Sequence, residues 1–373
     1  MSMASNMMTA TEIAKAVRSG SLTAEAVMAD HLSRIAARDG VVNAFLDFDA
    51  ERALMLARKA DKTPEKGVLH GVPFAVKDII DTVDLPTAWG SSIYTGFQPP
   101  RNASCVEMLV GAGAIPIGKT VTTEFAYFSP GATRNPHNLD HTPGGSSSGS
   151  AAAVADGMAA LGLGSQTAAS LIRPAAYCGI FGYKATQGSI DLQGVMGLAT
   201  SLDSFGFMAR SIDDLILTRA VLCAAALPSE VARPVGPLRI AFARGPHWQE
   251  ASQSTRDACA TAAQTLANDG VVIDELDCPS EFQQLSEHHK TVMAFETARA
   301  RRFEFTHHRD QISTAFADLL NMGMSISRDA YERALEARNG ASQSLAQTLS
   351  SYDAVLTPAA PSGAPHGITA TGD

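Results

Sequence analysis

A single lysine interrupts an apolar stretch of the chain in a way that favours acid–base chemistry. Lys77 is the only charged residue in the run Gly71-Val-Pro-Phe-Ala-Val-Lys77, so its aliphatic stem is expected to lie among apolar side chains. A lysine that has lost part of its hydration has a lowered pKa and can act as a base near neutral pH. A plainer interpretation is that Lys77 ends a strand and pairs with Asp78 or Asp81. This segment alone leaves both interpretations open.

A second segment, Thr142-Pro-Gly-Gly-Ser-Ser-Ser-Gly-Ser150, is rich in glycine and serine. Such a composition is typical of a flexible linker. Here it runs straight into Ala-Ala-Ala-Val, which predicts the start of a buried helix. Hydroxyl and backbone N–H groups at a helix N-terminus form a preorganised polar site. The segment is therefore either a linker or helix cap, or a functional loop.

The third segment, Gly164-Ser-Gln-Thr-Ala-Ala-Ser170-Leu-Ile-Arg173, places a serine and an arginine three positions apart. Small residues before Ser170 let the chain turn tightly, so that consecutive N–H groups can converge beside a hydroxyl, as an oxyanion hole requires. Arg173 has no Asp or Glu within five residues on either side, and a buried guanidinium needs an anionic partner. A turn with a structural ion pair fits these residues as well as a catalytic site does.

Taken together, these segments resemble the amidase signature family in order and spacing. The matching motifs lie at 71–78, 144–155 and 164–186, and Glu124-Phe-Ala, Asn135-Pro and Leu356-Thr-Pro-Ala-Ala-Pro361 are further family landmarks. The likeness is densest over 68–190 and can be followed from about residue 10 to the end of the chain. Three motifs that occur together in the family order are very unlikely to match the family pattern by chance.

The resemblance implies an amidohydrolase that forms an acyl-enzyme and releases ammonia, without a cofactor. Its Ser–(cis)Ser–Lys triad would consist of Ser170 as nucleophile, Ser146 as proton bridge and Lys77 as base. The Gly145–Ser146 peptide would be cis. The oxyanion hole would consist of four backbone N–H groups, those of Thr167, Ala168, Ala169 and Ser170.

Three departures from the usual family pattern refine this expectation. Gln166 stands where the family usually has Asp, and Arg173 follows Ser170 by three positions instead of two. This version of the motif resembles the malonamidase-type branch, which implies that Arg173 binds the free carboxylate of a small substrate. Ala169 replaces a glycine, which is expected to affect the rate more than the class of reaction. The C-terminal part of the family fold is expected to be missing beyond Asp373.

Two other functions stay open. The chain could be the amidase-like subunit of a glutamine-dependent tRNA amidotransferase, which frees ammonia for a partner, or a non-catalytic relative that binds a small acid. The Arg173 pattern and the acidic isoelectric point favour a stand-alone enzyme with a small-molecule amide as its substrate. A homodimer is a further open possibility.

Two patterns that could indicate a phosphate or metal site are better explained otherwise. Gly113-Ala-Ile-Pro-Ile-Gly118-Lys119-Thr120 matches the P-loop pattern, but helical spacing precedes it and its middle predicts a buried strand. The pairs His288-His289 and His307-His308 each point to different faces of a helix, so neither pair can chelate one ion through both rings. We expect no metal.

The elements that must position these segments alternate between helix and strand patterns. A capping box at Thr9-Ala-Thr-Glu12 opens N-terminal helices over about 9–38, and a strand, helix and strand are predicted over 238–276. The alternation predicts an α/β fold with helices on both faces of a central sheet. The resemblance adds that the sheet is mixed and that one domain spans 1–373. The segment 281–352 is predicted to form a peripheral helical layer.

Composition excludes several classes of function. The 373-residue chain has a formal charge of −9 and an isoelectric point near 5.6, which argues against sequence-independent binding to nucleic acid. Its five cysteines are widely spaced and odd in number, which favours reduced thiols. The sequence shows no secretory signal and no apolar run of membrane-spanning length. We therefore expect a cytoplasmic protein without membrane partners.

Overall fold

The computed structural model describes residues 4–227 and 236–372. The helices are α1 (Ala10–Ser19), α2 (Ala24–Val42), α3 (Ala50–Asp61), α4 (Ser104–Gly111), α5 (Ser148–Ala155), α6 (Ile172–Tyr177), α7 (Ile212–Leu222), α8 (Gln253–Asn268), α9 (Leu285–Ala300), α10 (Arg302–His307), α11 (Thr314–Ser325) and α12 (Arg328–Thr348). The strands are β1 (Phe45–Asp47), β2 (Pro73–Lys77), β3 (Ile115–Thr120), β4 (Leu161–Gln166), β5 (Phe181–Lys184), β6 (Ser204–Ala209), β7 (Arg239–Ala243), β8 (Val272–Leu276) and β9 (Ala354–Leu356). Within the described ranges, no helix combines the length and the apolar character needed to cross a membrane.

The first helix begins as its sequence predicts. The side chain of Thr9 accepts a hydrogen bond from the backbone of Glu12, and the Glu12 carboxylate accepts one from the backbone of Thr9. This reciprocal pair satisfies two N–H groups that a helix start would otherwise leave without partners. Gly20 ends the helix with a φ of 77°, a conformation that glycine adopts without a steric penalty. The predicted capping box is confirmed.

The chain groups into two compact units, and the first comprises residues up to 227 together with 306–317 and 364–372. Its six-stranded sheet has the order β1-β3-β2-β4-β6-β5. Strand β2 runs parallel to both β3 and β4, whereas β1, β5 and β6 each pair with a neighbour in the antiparallel sense. The predicted α/β class with a mixed sheet flanked by helices is confirmed.

The second unit comprises 236–305 and 318–363 within the described residues. Its three-stranded sheet is parallel, in the order β8-β7-β9, and α8 forms the connection from β7 to β8. Helices α9 and α12 pack through the stacked rings of Phe295 and Tyr331, whose centroids are 4.0 Å apart. The predicted helices of 281–352 are confirmed. The single domain over 1–373 stays a prediction, and residues 1–3, 228–235 and 373 lie outside the described part.

Two neighbouring strands of the first unit bring the chemistry-bearing segments to one edge. Strands β2 and β4 run parallel, with Phe74 opposite Leu161 and Ala75 opposite Gly162. Because parallel strands present their carboxyl ends at the same edge, Lys77 and Ser165 lie side by side there. Every residue of β2 is buried, as expected for a central strand covered on both faces.

The segment 142–150 is buried throughout, so the linker interpretation is wrong. Glycines in this segment and in the adjoining strand allow close contacts. A Cβ at Gly149 would lie 2.2 Å from the carbonyl oxygen of Ala44. A Cβ at Gly164, in the adjoining strand, would lie 2.8 Å from Oγ of Ser147. The glycines thus let the start of α5 pack directly against β4 and the neighbouring chain.

The P-loop match forms the buried strand that its middle residues predict. Residues 115–120 are β3, and Lys119 is buried within it. Its ammonium donates hydrogen bonds to the carbonyl of Ile80 and, at 2.7 Å, to the hydroxyl of Thr87, and it lies 3.8 Å from the Asp78 carboxylate. Lys119 therefore has internal partners in place of a phosphate.

Candidate active site

Lys77 ends β2 with a fully buried side chain. Its Nζ lies 2.7 Å from Oγ of Ser146 and 3.1 Å from Oγ of Ser165. Asp78, which could have paired with it, lies instead beside Lys119. The plainer interpretation, in which Lys77 pairs with Asp78 or Asp81, is wrong, because its amine faces two serine hydroxyls.

Burial changes the charge state of this amine. The loss of hydration lowers the pKa of Lys77 from 10.5 to about 7, against an opposing, charge-stabilising effect of the Asp203 carboxylate. A large fraction of Lys77 is therefore neutral near physiological pH. A neutral amine can accept a proton from a hydroxyl within hydrogen-bond distance.

Ser146 lies in a tight loop directly before α5. The peptide bond between Gly145 and Ser146 is cis, as the resemblance implied. Ser146 is buried, and its carbonyl accepts a hydrogen bond from the backbone N–H of Thr123 at 3.4 Å. The next hydroxyl, that of Ser147, donates to the carbonyl of Ser165 at 3.4 Å. These bonds tie the loop to the ends of two strands and hold the Ser146 hydroxyl beside Lys77.

Ser170 lies on the turn between β4 and α6 and is 9% exposed. Its carbonyl accepts a hydrogen bond from the backbone N–H of Ser147 at 3.0 Å, which joins this turn to the Ser146 loop. The side-chain oxygen of Gln166 accepts from the N–H groups of Leu171 at 3.2 Å and Ile172 at 3.0 Å. Gln166, which departs from the usual family residue, therefore caps the first turn of α6 and fixes the chain that follows Ser170.

The turn that the sequence assigns to an oxyanion hole reaches the surface, since Ala168 is exposed and Thr167 and Ala169 are partly exposed. None of the residues 167–170 has a positive φ. Ala169 is therefore accommodated in place of glycine without left-handed strain. The role of these four N–H groups stays a prediction.

Arg173 is buried in α6 and reaches the Ser146 loop. Its Nε and Nη2 donate to the carbonyl oxygen of Gly145 at 3.2 Å and 2.7 Å, and Nη2 lies 3.4 Å from the hydroxyl of Thr371. The guanidinium carbon is 5.8 Å from the ring centroid of Phe128, which is 44% exposed. The arginine thus contacts the peptide that precedes the proposed proton bridge. Its predicted binding of a substrate carboxylate stays a prediction.

Sequence reasoning missed two residues of the site. Ser165 faces Lys77 because β2 and β4 are parallel neighbours, and Asp203 accepts a hydrogen bond from the Thr167 hydroxyl at 2.6 Å. An isolated aspartate directly before the apolar strand Ser204–Ala209 was the available signal for Asp203. In the described ranges, no three His, Cys, Asp or Glu side chains gather as metal ligands.

Lys77 and Ser146 form a hydrogen-bonded pair, and Ser170 lies on a turn that is joined to the loop of Ser146 through the backbone N–H of Ser147. A lysine with a pKa of about 7 lies 2.7 Å from one serine, and a second serine lies on a turn bonded to the same loop. These are the parts of an activated hydroxyl nucleophile. Backbone N–H groups of a small-residue turn can stabilise the negative charge that forms on an attacked carbonyl oxygen. The arrangement suits acyl transfer.

Comparison with known proteins agrees with this chemistry. A family model described as Amidase matches residues 26–371. The matching component of the glutamyl-tRNA(Gln) amidotransferase from Lachnospira eligens is 30% identical over 404 residues, covering 96% of this chain and 84% of that protein. The corresponding component from Acidothermus cellulolyticus is 38% identical over 295 residues, covering 73% of this chain and 58% of that protein.

Solved structures share the fold over nearly the whole chain. A crystal structure of an amidase superposes with a TM-score of 0.90 and 26% identity, covering 96% of this chain and 83% of that one. A protein from a vestigial complex, related to the origins of an s-triazine catabolic enzyme, superposes with a TM-score of 0.87 and 28% identity over the same shares.

Proposed function

This chain belongs to the amidase signature family, and from that membership we propose that it hydrolyses a small amide carrying a free carboxylate, with Ser170 as the nucleophile. The products would be the corresponding acid and ammonia. The observation that carries the proposal is the contact of 2.7 Å between the buried Lys77 amine and the Ser146 hydroxyl. A fully buried lysine that faces hydroxyls, with a pKa near neutrality, is suited to the role of base.

In the first step, neutral Lys77 accepts the proton of Ser146, and Ser146 accepts that of Ser170. The Ser170 oxygen then bonds to the amide carbonyl carbon, and the carbonyl oxygen becomes an oxyanion. The N–H groups of the turn 167–170 stabilise that charge in the transition state. No proton has to enter or leave the site in this step, because it moves between groups already buried there.

The second step breaks the C–N bond. The proton on Lys77 returns through Ser146 to the leaving nitrogen, so that ammonia departs as a neutral molecule and the acyl group stays on Ser170. Water then attacks the acyl carbon, the relay takes one of its protons, and the ester bond breaks to release the acid and restore the Ser170 hydroxyl. The lysine is neutral again at the end of the cycle.

Arg173 supports the choice of a carboxylated substrate. It is a buried cation three residues beyond Ser170, and it is bonded to the Gly145 carbonyl beside the proton bridge. A planar guanidinium can bind a carboxylate through two parallel hydrogen bonds. A two- or three-carbon acid bound there would place its amide near Ser170.

Ammonia release tests the proposal. A set of small amides with and without a terminal carboxylate is incubated with the native chain and with Ser170→Ala, and ammonia is quantified. We expect release from carboxylated amides by the native chain alone. Release by both proteins would contradict Ser170 as nucleophile, and a preference for neutral amides would contradict the substrate class.

A second candidate is the ammonia-producing component of an amidotransferase, which the 30% and 38% identities to such proteins support. In that case glutamine would be the substrate, and ammonia would be delivered to a partner. Purification of the chain from its own host at native abundance distinguishes between these two candidate functions. A stoichiometric partner that switches on glutamine hydrolysis would favour the second candidate, whereas full activity of the isolated chain would favour the first.

A further inference from the structure

The pairing of two strands places an unassigned carboxylate beside the turn that carries Ser170. Strands β4 and β6 are antiparallel, and their register ends with Gln166 opposite Ser204. One residue beyond that pair, Thr167 leaves β4 and Asp203 enters β6, so the two face each other across the end of the ladder. The Thr167 hydroxyl donates to Oδ1 of Asp203 at 2.6 Å.

The carboxylate is itself held in place. Its other oxygen, Oδ2, accepts hydrogen bonds from the N–H groups of Leu198 at 2.9 Å and Ala199 at 3.0 Å. The backbone N–H of Asp203 donates to the carbonyl of Ala199 at 2.8 Å, and the residue is 7% exposed. Because both oxygens and the backbone are bonded, the carboxylate cannot swing away from Thr167. The turn at 167 is therefore fixed to a rigid support on the neighbouring strand.

We propose that Asp203 is a positioning residue, which holds the turn 167–170 in its reactive conformation through the Thr167 hydroxyl. The inference rests on the proposed function, because the turn matters only if Ser170 attacks and the nearby N–H groups receive the oxyanion. Thr167 is the first residue of that turn, so a fixed Thr167 fixes the start of the path to Ser170. Because small displacements of reacting groups reduce rates strongly, a fixed Thr167 is expected to increase the rate at which Ser170 attacks.

Asp203 also acts on Lys77 through charge. The amine contacts the hydroxyls of Ser146 and Ser165, while the neighbouring cation Lys119 and its partner Asp78 interact with each other. Asp203 favours the charged form of Lys77 and so opposes the effect of burial on its pKa. If Asp203 loses its charge, the pKa of Lys77 falls further, and the neutral base persists to lower pH.

The test measures how fast a serine-reactive fluorophosphonate labels Ser170 between pH 5.5 and 9, with the site identified by peptide mass spectrometry. In this reaction the Ser170 oxygen bonds to phosphorus, the P–F bond breaks, fluoride leaves, and the relay accepts the proton. The variants are Asp203→Asn, which keeps the shape and removes the charge, Thr167→Val, which removes the hydroxyl, and Thr167→Ser, which keeps it. Circular dichroism and melting temperature check the fold of each.

We expect Thr167→Val to slow labelling roughly 10- to 100-fold, Thr167→Ser to restore it, and neither to move the pH at which labelling rises. Asp203→Asn should slow labelling and also move that rise to lower pH, which a purely structural role would not do. Labelling of Thr167→Val at the native rate would overturn the inference. So would a folded Asp203→Asn whose labelling rate rises at the same pH as that of the native chain. If Asp203→Asn does not fold, the two Thr167 variants decide. Absence of labelling in the native chain would overturn the proposed function as well.

Discussion

Replacing Lys77 with methionine tests the buried amine without any substrate, through the free energy of unfolding. Methionine has a similar length and no charge, so Lys77→Met keeps most of the packing and removes the titrating group. The change leaves the hydroxyls of Ser146 and Ser165 without this partner, a loss of about 1–3 kcal/mol that does not depend on pH. The variant should be inactive, and its stability relative to the native chain should change with pH.

The size of that change follows from the pKa. Burial lowers the pKa of Lys77 from 10.5 to about 7 in the folded protein, and the unfolded chain regains the ordinary value. Between these two values the unfolded chain binds one proton more than the folded one, so native stability increases with pH across this window. One proton corresponds to roughly 1.4 kcal/mol per pH unit, so between about pH 9.5 and 7.5 the native chain should lose roughly 2.5 kcal/mol relative to Lys77→Met. Below pH 7 the dependence should level off, because the folded protein is then protonated as well.

Urea denaturation of the native chain and of Lys77→Met at pH 7.5, 8.5 and 9.5 measures the difference in their free energies of unfolding. Burial also lowers the pKa of Lys119, to about 8, but Lys119 is present in both proteins and its contribution cancels. A difference in stability that stays constant over this range would refute the reasoning. It would mean that Lys77 keeps the same charge in the folded and unfolded states.

The same contacts lead to three more expected outcomes. The kcat/KM of the native chain should rise roughly tenfold between pH 6 and 8 and then level off, because only neutral Lys77 acts as base; a rise that continues through pH 10 would contradict a lowered pKa. Arg173→Lys should weaken transition-state stabilisation, calculated from kcat/KM, by roughly 1–3 kcal/mol more for a carboxylated amide than for its neutral counterpart. Equal losses for the two substrates would mean that Arg173 only holds the Gly145 carbonyl. Gly164→Ala should destabilise the protein by about 1–3 kcal/mol and slow hydrolysis, since its Cβ would lie 2.8 Å from Oγ of Ser147; Gly40→Ala, with nothing within 4 Å, is the matched control in thermal melts.

Local patterns predicted the elements well where one segment determines its own structure. The apolar run that ends at Lys77 forms a buried strand, and the capping box at Thr9 forms as expected. The motif likeness led to the cis peptide before Ser146. These features depend on neighbouring residues or on a recognisable motif, so a single sequence contains the information needed.

The contacts that complete the site depend on which strands become neighbours. Lys77 meets Ser165 because β2 and β4 are parallel and adjacent, and Thr167 meets Asp203 because of the register between β4 and β6. The residues around Arg173 in the sequence include no carboxylate. They could not reveal that its guanidinium donates a hydrogen bond to the carbonyl of Gly145, 28 residues earlier in the chain. Strand order and register are set by the packing of the whole sheet, which no local pattern specifies.

The most direct test of the central claim, that Ser170 attacks the amide with Lys77 as its base, is the location of the acyl group during turnover. The native chain is mixed with a carboxylated amide that it hydrolyses, quenched in acid within the first turnovers, digested and mapped by mass spectrometry. We expect an acyl adduct on the peptide that contains Ser170, absent in Ser170→Ala and strongly reduced in Lys77→Met. An adduct on another residue, or one undiminished in Lys77→Met, would contradict it.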